Sequence, residues 1–282
     1  QRLLSAHSFG DCLITIGTGE MSDAEAERLG LVPTHAYAVL DVREVEGVRL
    51  LLVKNPWARK RWNGPYSAND KQRWTKSLRQ ALKYDQQVAS QYDNGIFWID
   101  MPSVVRFFDT AHLNWNPGLF KHRSMLHAHW PVSMGPKSDL YNLGSNPQYT
   151  IMVTLSSSSD GKKKNTQLTG VPSTTAQSPS VWILLSRHST TKDPEGVRPD
   201  FLTVHVYESS RRVYYPDGAL IRGVYTNSPH TLLRFDVPPT TRPGGGKRLY
   251  TLVLSQHEKK RNIDYTLNVF CTAPLSLYHT PS

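Results

Sequence analysis

The sequence predicts two folded parts in series: an α+β part, residues 1–108, in which an antiparallel sheet carries a few helices, and an all-β antiparallel sandwich, residues 109–282. Three observations predict this. Before about Asp109, strand-like runs alternate with segments of helical periodicity, whereas beyond it nearly every apolar run alternates with a period of two. Hydrophobic residues make up 38% and charged residues 20% of the 282, which is the balance of a globular chain long enough for two cores. No apolar run approaches the roughly 18 residues that a bilayer crossing requires.

The elements of the first part follow from local chemistry. Leu13–Gly17, His35–Glu44 and Val48–Lys54 read as strands, the last two joined by a hairpin turn at Val45-Glu46-Gly47. "SDAEAERLG" is a helix with Ser22 as N-cap, acids in its first turn and Gly30 as the stop. "TKSLRQALKYD" repeats apolar residues at helical spacing behind Thr75, a second cap. "IFWIDMPSVVRFF" is a short strand running into a helix. In the second part, "QYTIMVTLS", "VWILLSRHS", "FLTVHVYES", "HTLLRFDV", "RLYTLVLSQ" and "IDYTLNVF" alternate as strands, separated by turns such as "YYPDGA" and "TTRPGGGKR". Six or more such strands predict a sandwich. The low-complexity stretch from Ser156 to Ser180 predicts a flexible loop between two of them.

Charge and cysteine usage narrow the function classes. The net charge is +10, of which residues 109–282 hold +8 (19 basic, 11 acidic). A solvated basic surface accounts for this, and contact with acidic membrane is the weaker alternative. Zinc-finger spacing, phosphate-cradling glycine loops and basic–aromatic alternation are all missing, so no nucleic-acid partner is expected. The two cysteines, Cys12 and Cys271, are far apart, which excludes a disulfide framework and favours a reducing, cytoplasmic setting. The opening has neither an initiator Met nor a signal-peptide layout, so the chain reads as a piece of something longer.

One constellation carries chemistry. If the hairpin folds, His35 and Asn55 come to the same end of one ribbon, although an ideal ladder leaves them out of register unless a bulge or a bent exit at Pro56 closes the gap. A thiol nucleophile needs a histidine to take its proton, and that histidine needs a side-chain carbonyl to hold its other nitrogen. Taken by itself, a lone strand histidine is more often a satisfied structural residue than a catalytic one.

"THAYAVLDV", "LLLVKNPW" and "DNGIFWI" resemble the histidine, asparagine and closing strand–helix motifs of the calpain family's catalytic domain, in order and in spacing. "LNWNPGLF", "NPQYTIMV", "VWILLSRH" and "YTLVLSQ" resemble the β-sandwich that follows the protease core in the atypical branch of that family. The resemblance implies that residues 1–108 are the second half of a papain-like protease core and residues 109–282 a calpain-type, C2-like sandwich. It makes His35 the catalytic base, Asn55 the residue that orients it and Trp57 the tryptophan lining the site; Trp62 is assigned to packing. The activity implied is limited proteolysis of protein substrates by an intracellular cysteine endopeptidase.

The departures from the family pattern are equally specific. Neither Cys12 in "GDCLITIG" nor Cys271 in "NVFCTAP" has the Gln…Cys-Trp context of the family nucleophile, so the nucleophile is expected upstream, and this chain alone is expected to be inert. The family's calcium-binding "Asp-Gly-Glu-Phe-Trp" stands here as Asn94-Gly95-Ile96-Phe97-Trp98, and Arg61 stands where an acid is common. No calcium, other metal or cofactor is therefore expected. His127 and His129 of "HAHW" share a strand face and form at most half a metal site, with surface or packing histidines as the simpler reading. By resemblance, modules preceding such a chain bind endosomal-sorting proteins, which implies a cytoplasmic, endosome-associated setting. The competing class is a non-catalytic scaffold or membrane-contact module with a vestigial protease half.

Overall fold

Val45 and Val48 pair across a two-residue turn, Glu46-Gly47, whose φ angles of 53° and 77° are the left-handed pair that a tight hairpin demands. This hairpin is the centre of the first of two units. The computed structural model describes residues 2–91, 93–156, 178–188, 200–240 and 245–281. The chain divides into Gln1–Asn116 and Pro117–Ser282.

In the first unit the elements run α1 (Arg2–Ser8), β1 (Cys12–Gly17), α2 (Asp23–Leu29), β2 (Ala36–Val45), β3 (Val48–Lys54), α3 (Lys76–Leu82), α4 (Gln86–Gln91), β4 (Ile96–Asp100), α5 (Met101–Phe107) and β5 (Thr110–Trp115). The strands form one antiparallel sheet in the order β4-β3-β2-β1-β5. The expected caps close as drawn. Ser22 accepts from the Glu25 N–H and Gly30 ends α2 at φ 68°, while Thr75 accepts from the Leu78 N–H. Helix α3 stops at Lys83, itself left-handed, so "TKSLRQALKYD" is helical only in its first turns.

Both faces of this sheet are covered. Ile14, Ile16, Tyr37, Val39, Leu51, Val53, Phe97 and Ile99 look into one core with Leu29, Leu31, Trp62 and Val104. Leu50 and Trp98 look into the other with Trp74 and Leu78. The unit extends past residue 108 because Thr110–Trp115 pairs with β1 over its whole length, and the Asn116 N–H bonds the Asp11 carbonyl. Strand β5 is exposed along almost its whole length, so backbone pairing to a free edge recruits it, and no burial pattern in the sequence announces it.

The second unit contains β6 (His122–Trp130), β7 (Gln148–Leu155), β8 (Ser180–Arg187), β9 (Phe201–Tyr207), β10 (His230–Asp236), β11 (Gly246–His257), β12 (Ile263–Cys271) and β13 (Leu275–His279). Two four-stranded antiparallel sheets, β10-β8-β12-β6 and β13-β7-β11-β9, share one core. Ile151, Val153, Val181, Ile183, Val204, Val206, Leu252, Leu267 and Val269 are fully buried in it. The Tyr149 and Tyr265 hydroxyls bond each other at 2.5 Å across the two sheets, satisfying two phenols that would otherwise be buried unpaired. Of the stretch expected to be a flexible loop, residues 157–177 lie outside the described residues. Among the described residues no helix is long and apolar enough to cross a membrane.

A buried polar cluster ties two loops of the sandwich to β9. The Gly223 N–H donates to His205 Nδ1, so Nε2 carries the proton and donates to Asp139 at 3.2 Å. The Tyr225 hydroxyl donates to the same carboxylate oxygen. Burial opposes the charge on Asp139, yet the bonds from His205 and Tyr225 outweigh it and hold the carboxyl down at about 2.

Two expectations follow. Leu252→Ala, which empties a site between the sheets, should lower unfolding free energy by about 2–5 kcal/mol in urea titration. A carboxyl depressed in the folded state contributes stability that is complete above the unfolded value near ~4 and disappears as the pH falls toward about 2. The loss of melting temperature over that window should therefore be smaller in Asp139→Asn than in the parent chain.

Candidate active site

His35 sits immediately before β2, where the chain turns through a left-handed Thr34 (φ 44°). Its backbone is fixed from β1's exit. The His35 N–H donates to Thr18 Oγ1 at 3.0 Å, the Thr18 N–H donates to the His35 carbonyl at 3.0 Å, and the buried Thr18 hydroxyl donates to the Val32 carbonyl at 2.6 Å. Tyr37, two residues on and so on the same face, sets its ring edge-on to the imidazole at 5.0 Å. The Tyr37 hydroxyl accepts from the Val32 N–H, which anchors the ring from behind.

Asn55 follows β3 and is fully buried. Its Oδ1 lies 2.9 Å from His35 Nε2 and also accepts the Trp57 N–H at 3.1 Å. Its Nδ2 donates to the Arg59 carbonyl at 2.7 Å and the Lys60 carbonyl at 3.3 Å. Two carbonyl acceptors on one side and an N–H donor on the other leave the amide only one orientation. The atom facing the imidazole is therefore an oxygen, so Nε2 must carry the proton and Nδ1 keeps the lone pair. Among the described residues no donor is bonded to Nδ1. Trp57 lies over the imidazole, with ring centroids 4.5 Å apart and planes tilted by 49°. It is half exposed, so it covers one face of the ring and turns the other side of the indole to solvent.

A single-residue irregularity makes this meeting possible. The β2–β3 register shifts between Val39 and Asp41, leaving Leu40 as the extra residue. Continued outward, the ladder Val39↔Val53, Ala38↔Lys54 sets Asn55 opposite Tyr37 and diagonal to His35 on one face. Without the bulge Asn55 would stand opposite Ala38 and project from the other face, because one residue of slip inverts every side chain beyond it. The sequence demanded either a bulge or a bend at Pro56, and the structure uses the bulge.

The thiols stand elsewhere. Cys12 is buried at the start of β1, whose far end, Gly17, pairs with Ala36 beside His35. Five strand residues place the thiol ~16 Å away along the sheet. Cys271 is buried in the second unit, its sulfur accepting the Ala273 N–H. Burial pushes both thiols up, which disfavours thiolate. His127 and His129 do share an exposed face, but each is engaged by its direct cross-strand neighbour, Thr266 and Asp264. Among the described residues no group of three or more His, Cys, Asp or Glu is placed to hold a metal ion. Trp62 packs in the core, its indole N–H donating to the Pro65 carbonyl.

Sequence reasoning missed Thr18, Tyr37 and Asp93. The first two are ordinary strand residues by pattern. Asp93, just ahead of "NGIFW", accepts the Lys60 N–H, the Gly95 N–H and Arg61 Nε, and so organises the loop under Asn55. Gly95 is left-handed (φ 74°), and a Cβ there would meet the Asn55 carbonyl at 2.8 Å. Ala58 and Lys60 are left-handed without being glycine, a strain of order 1–3 kcal/mol each that surrounding bonds must hold.

Residues 1–114 match the family model described as calpain family cysteine protease. Calpain-7 of Homo sapiens is 42% identical over 276 residues, covering 97% of this chain and 31% of that protein. The calpain-like protease palB of Emericella nidulans is 33% identical over 289 residues, 99% of this chain and 28% of that protein. The calpain-type cysteine protease ADL1 of Oryza sativa is 34% identical over 146 residues, half of this chain. The chain thus spans about a third or less of the length of these relatives. With the protease-family match over its first unit and the likeness to calpain-7 and palB running through both units, the chain belongs to the calpain family.

Proposed function

We propose that this chain carries the base-bearing half of a papain-like cysteine endopeptidase core together with a calpain-type, C2-like sandwich. The observation that carries the reading is the locked amide of Asn55, which presents oxygen to His35 Nε2 and leaves Nδ1 as the accepting atom. In this reading Nδ1 takes the proton of a cysteine thiol as that sulfur attacks a peptide carbonyl, and the imidazolium returns the proton to the leaving amine. Asn55 keeps the ring in the one tautomer that can do both. Trp57 covers one face of the pair and limits water there, which strengthens the bond.

The nucleophile belongs to a segment outside this chain. Both thiols present are buried, Cys12 stands at the end of β1 away from His35, and the relatives are much longer proteins. Alone, the chain has no thiolate for His35 to stabilise and is inert. Its substrates in the assembled enzyme are proteins, held in a groove to which the other half contributes. The family likeness further supports a cytoplasmic, endosome-associated enzyme whose remaining modules meet endosomal-sorting proteins.

The same reading assigns no calcium to the first unit. Asp93 is engaged by two backbone N–H groups and Arg61, and Asp70 by the N–H groups of Tyr66, Gln72 and Arg73 and by the Arg73 guanidinium. Carboxylates already engaged in this way offer a hard cation few free oxygens.

Joining the upstream segment, in cis or by co-expression, should create a thiol that reacts rapidly with an epoxide or iodoacetamide probe near neutral pH. An imidazolium at His35 lowers the partner thiol's pKa from ~8.5. His35→Ala should abolish that reactivity, and Asn55→Ala should weaken it less, since a misoriented ring still accepts a proton part of the time. Rapid, His35-dependent labelling of Cys12 in the chain alone would identify Cys12 as the nucleophile and sink the two-half reading. Separately, titrating calcium to millimolar levels should leave the melting temperature unchanged; a rise of several degrees means that a native-state site exists.

A further inference from the structure

Asn55 is held by a closed ring of hydrogen bonds that passes through the Asp93 carboxylate, which has no bond to the imidazole among the described residues. The Asn55 N–H donates to the Gly95 carbonyl at 2.8 Å, and the Gly95 N–H donates to Asp93 Oδ1 at 3.0 Å. Asp93 Oδ2 accepts the Lys60 N–H at 3.1 Å, and the Lys60 carbonyl accepts Asn55 Nδ2 at 3.3 Å. The ring returns to the residue from which it started. Arg61 braces it: Nε lies 3.1 Å from Asp93 Oδ1, and Nη1 donates to the Ala89 carbonyl at the end of α4.

Apart from Trp57 against the imidazole and the close approach of Ala58 and Arg59 to Gly95, little packing holds this loop. Residues 56–60 are exposed, and a polar cavity of about 230 Å³, lined in part by Lys60, Arg61, Asn63 and Asp93, lies against it. The loop also contains two left-handed non-glycine residues, Ala58 and Lys60, which relax to ordinary conformations unless their neighbours prevent it. The carbonyls that orient the Asn55 amide are those of Arg59 and Lys60, within this stretch. If the loop relaxes, Asn55 loses both Nδ2 acceptors and is free to turn nitrogen toward His35. The imidazole would then be met by a donor and would shift to the opposite tautomer.

We propose that Asp93, braced by Arg61, is a positioning residue for His35: it sets the imidazole tautomer through the loop that orients Asn55. The effect on catalysis rests on the proposed function, but the effect on the tautomer does not. Asp93 touches neither the imidazole nor any reacting atom. It acts only through the orientation of one buried amide.

The test is nitrogen-15 NMR of the His35 ring in the full 282-residue chain. The parent should show a protonated Nε2, protected from exchange, and an unprotonated Nδ1. Asp93→Ala should mix the tautomers and speed Nε2–H exchange at least roughly tenfold, the size expected for losing a charge-assisted bond. Asp93→Asn, which keeps an oxygen acceptor but loses the charge that Arg61 meets, should fall between. Arg61→Ala should weaken the signature, and Arg61→Lys should restore part of it. If Asp93→Ala lowers the melting temperature but leaves the His35 signature untouched, Asp93 is a structural residue only and the proposal is overturned. Should Asp93→Ala fail to fold, Arg61→Ala decides: an unchanged signature again overturns it. In the assembled protease, the same variants should lower kcat with KM little changed. A parent assembly without protease activity, beside a tautomer that does shift in Asp93→Ala, overturns the proposed function alone, whereas an active parent assembly whose His35 tautomer Asp93→Ala leaves unshifted overturns this inference alone.

Discussion

The site depends on one buried amide. Asn55 has no water to turn to, so each of its polar atoms must find a protein partner, and every partner constrains the others. Its oxygen is shared between the imidazole and the Trp57 N–H, and its nitrogen is divided between two carbonyls of a single loop. An exposed asparagine would rotate freely and let the histidine choose its tautomer. Burial turns a weak preference into a fixed one, because the wrong orientation would leave a donor facing a donor without solvent to relieve it. The proton relay proposed for His35 would need that fixity, since both of its transfers use the same ring nitrogen.

Backbone geometry at three places exists to let that amide do this. The bulge at Leu40 turns Asn55 to the face of His35, at the cost of one exposed leucine. Gly95 lets the turn before β4 approach the Asn55 carbonyl closer than a side chain permits. Thr18, at the exit of β1, binds the backbone on both sides of His35. The sheet itself is anchored on both faces, and β3, which delivers Asn55, is buried on both. A rigid strand thus carries the orienting residue, while the loop beyond it carries the strain.

The sandwich applies the same economy to a different end. Asp139, His205 and Tyr225 resemble a catalytic constellation in composition, yet Gly223 occupies the histidine's second nitrogen, which leaves no atom to accept a proton from a substrate. The cluster ties loops to β9 and satisfies buried charge. The contrast with His35 is instructive: at His35 one ring nitrogen is held and the other is left open, whereas at His205 both are spent.

Much of the architecture was legible in the sequence. The Ser22 and Thr75 caps, a hairpin turn within Val45-Glu46-Gly47 and the alternating runs of the sandwich are local signals, since capping, turn and pleat preferences act within a few residues. The approach of His35 to Asn55 was readable as a requirement, and so was the need for a bulge or a bend to meet it. Which of the two occurs, and where, was not, because strand register is settled by pairing and burial across the whole sheet and not by any local signal at Leu40. Strand β5 was not legible as a strand for a related reason: an exposed edge strand carries no burial pattern, and pairing with β1 is a tertiary event. Asp93 was invisible as a site residue because its importance comes from bonds to Lys60 and Arg61, more than thirty positions earlier. The sequence by itself determined which side chains a folded hairpin would bring to one end. Only the tertiary structure decided that they share one face and one tautomer, because register and amide orientation are settled by which buried groups would otherwise go unpaired.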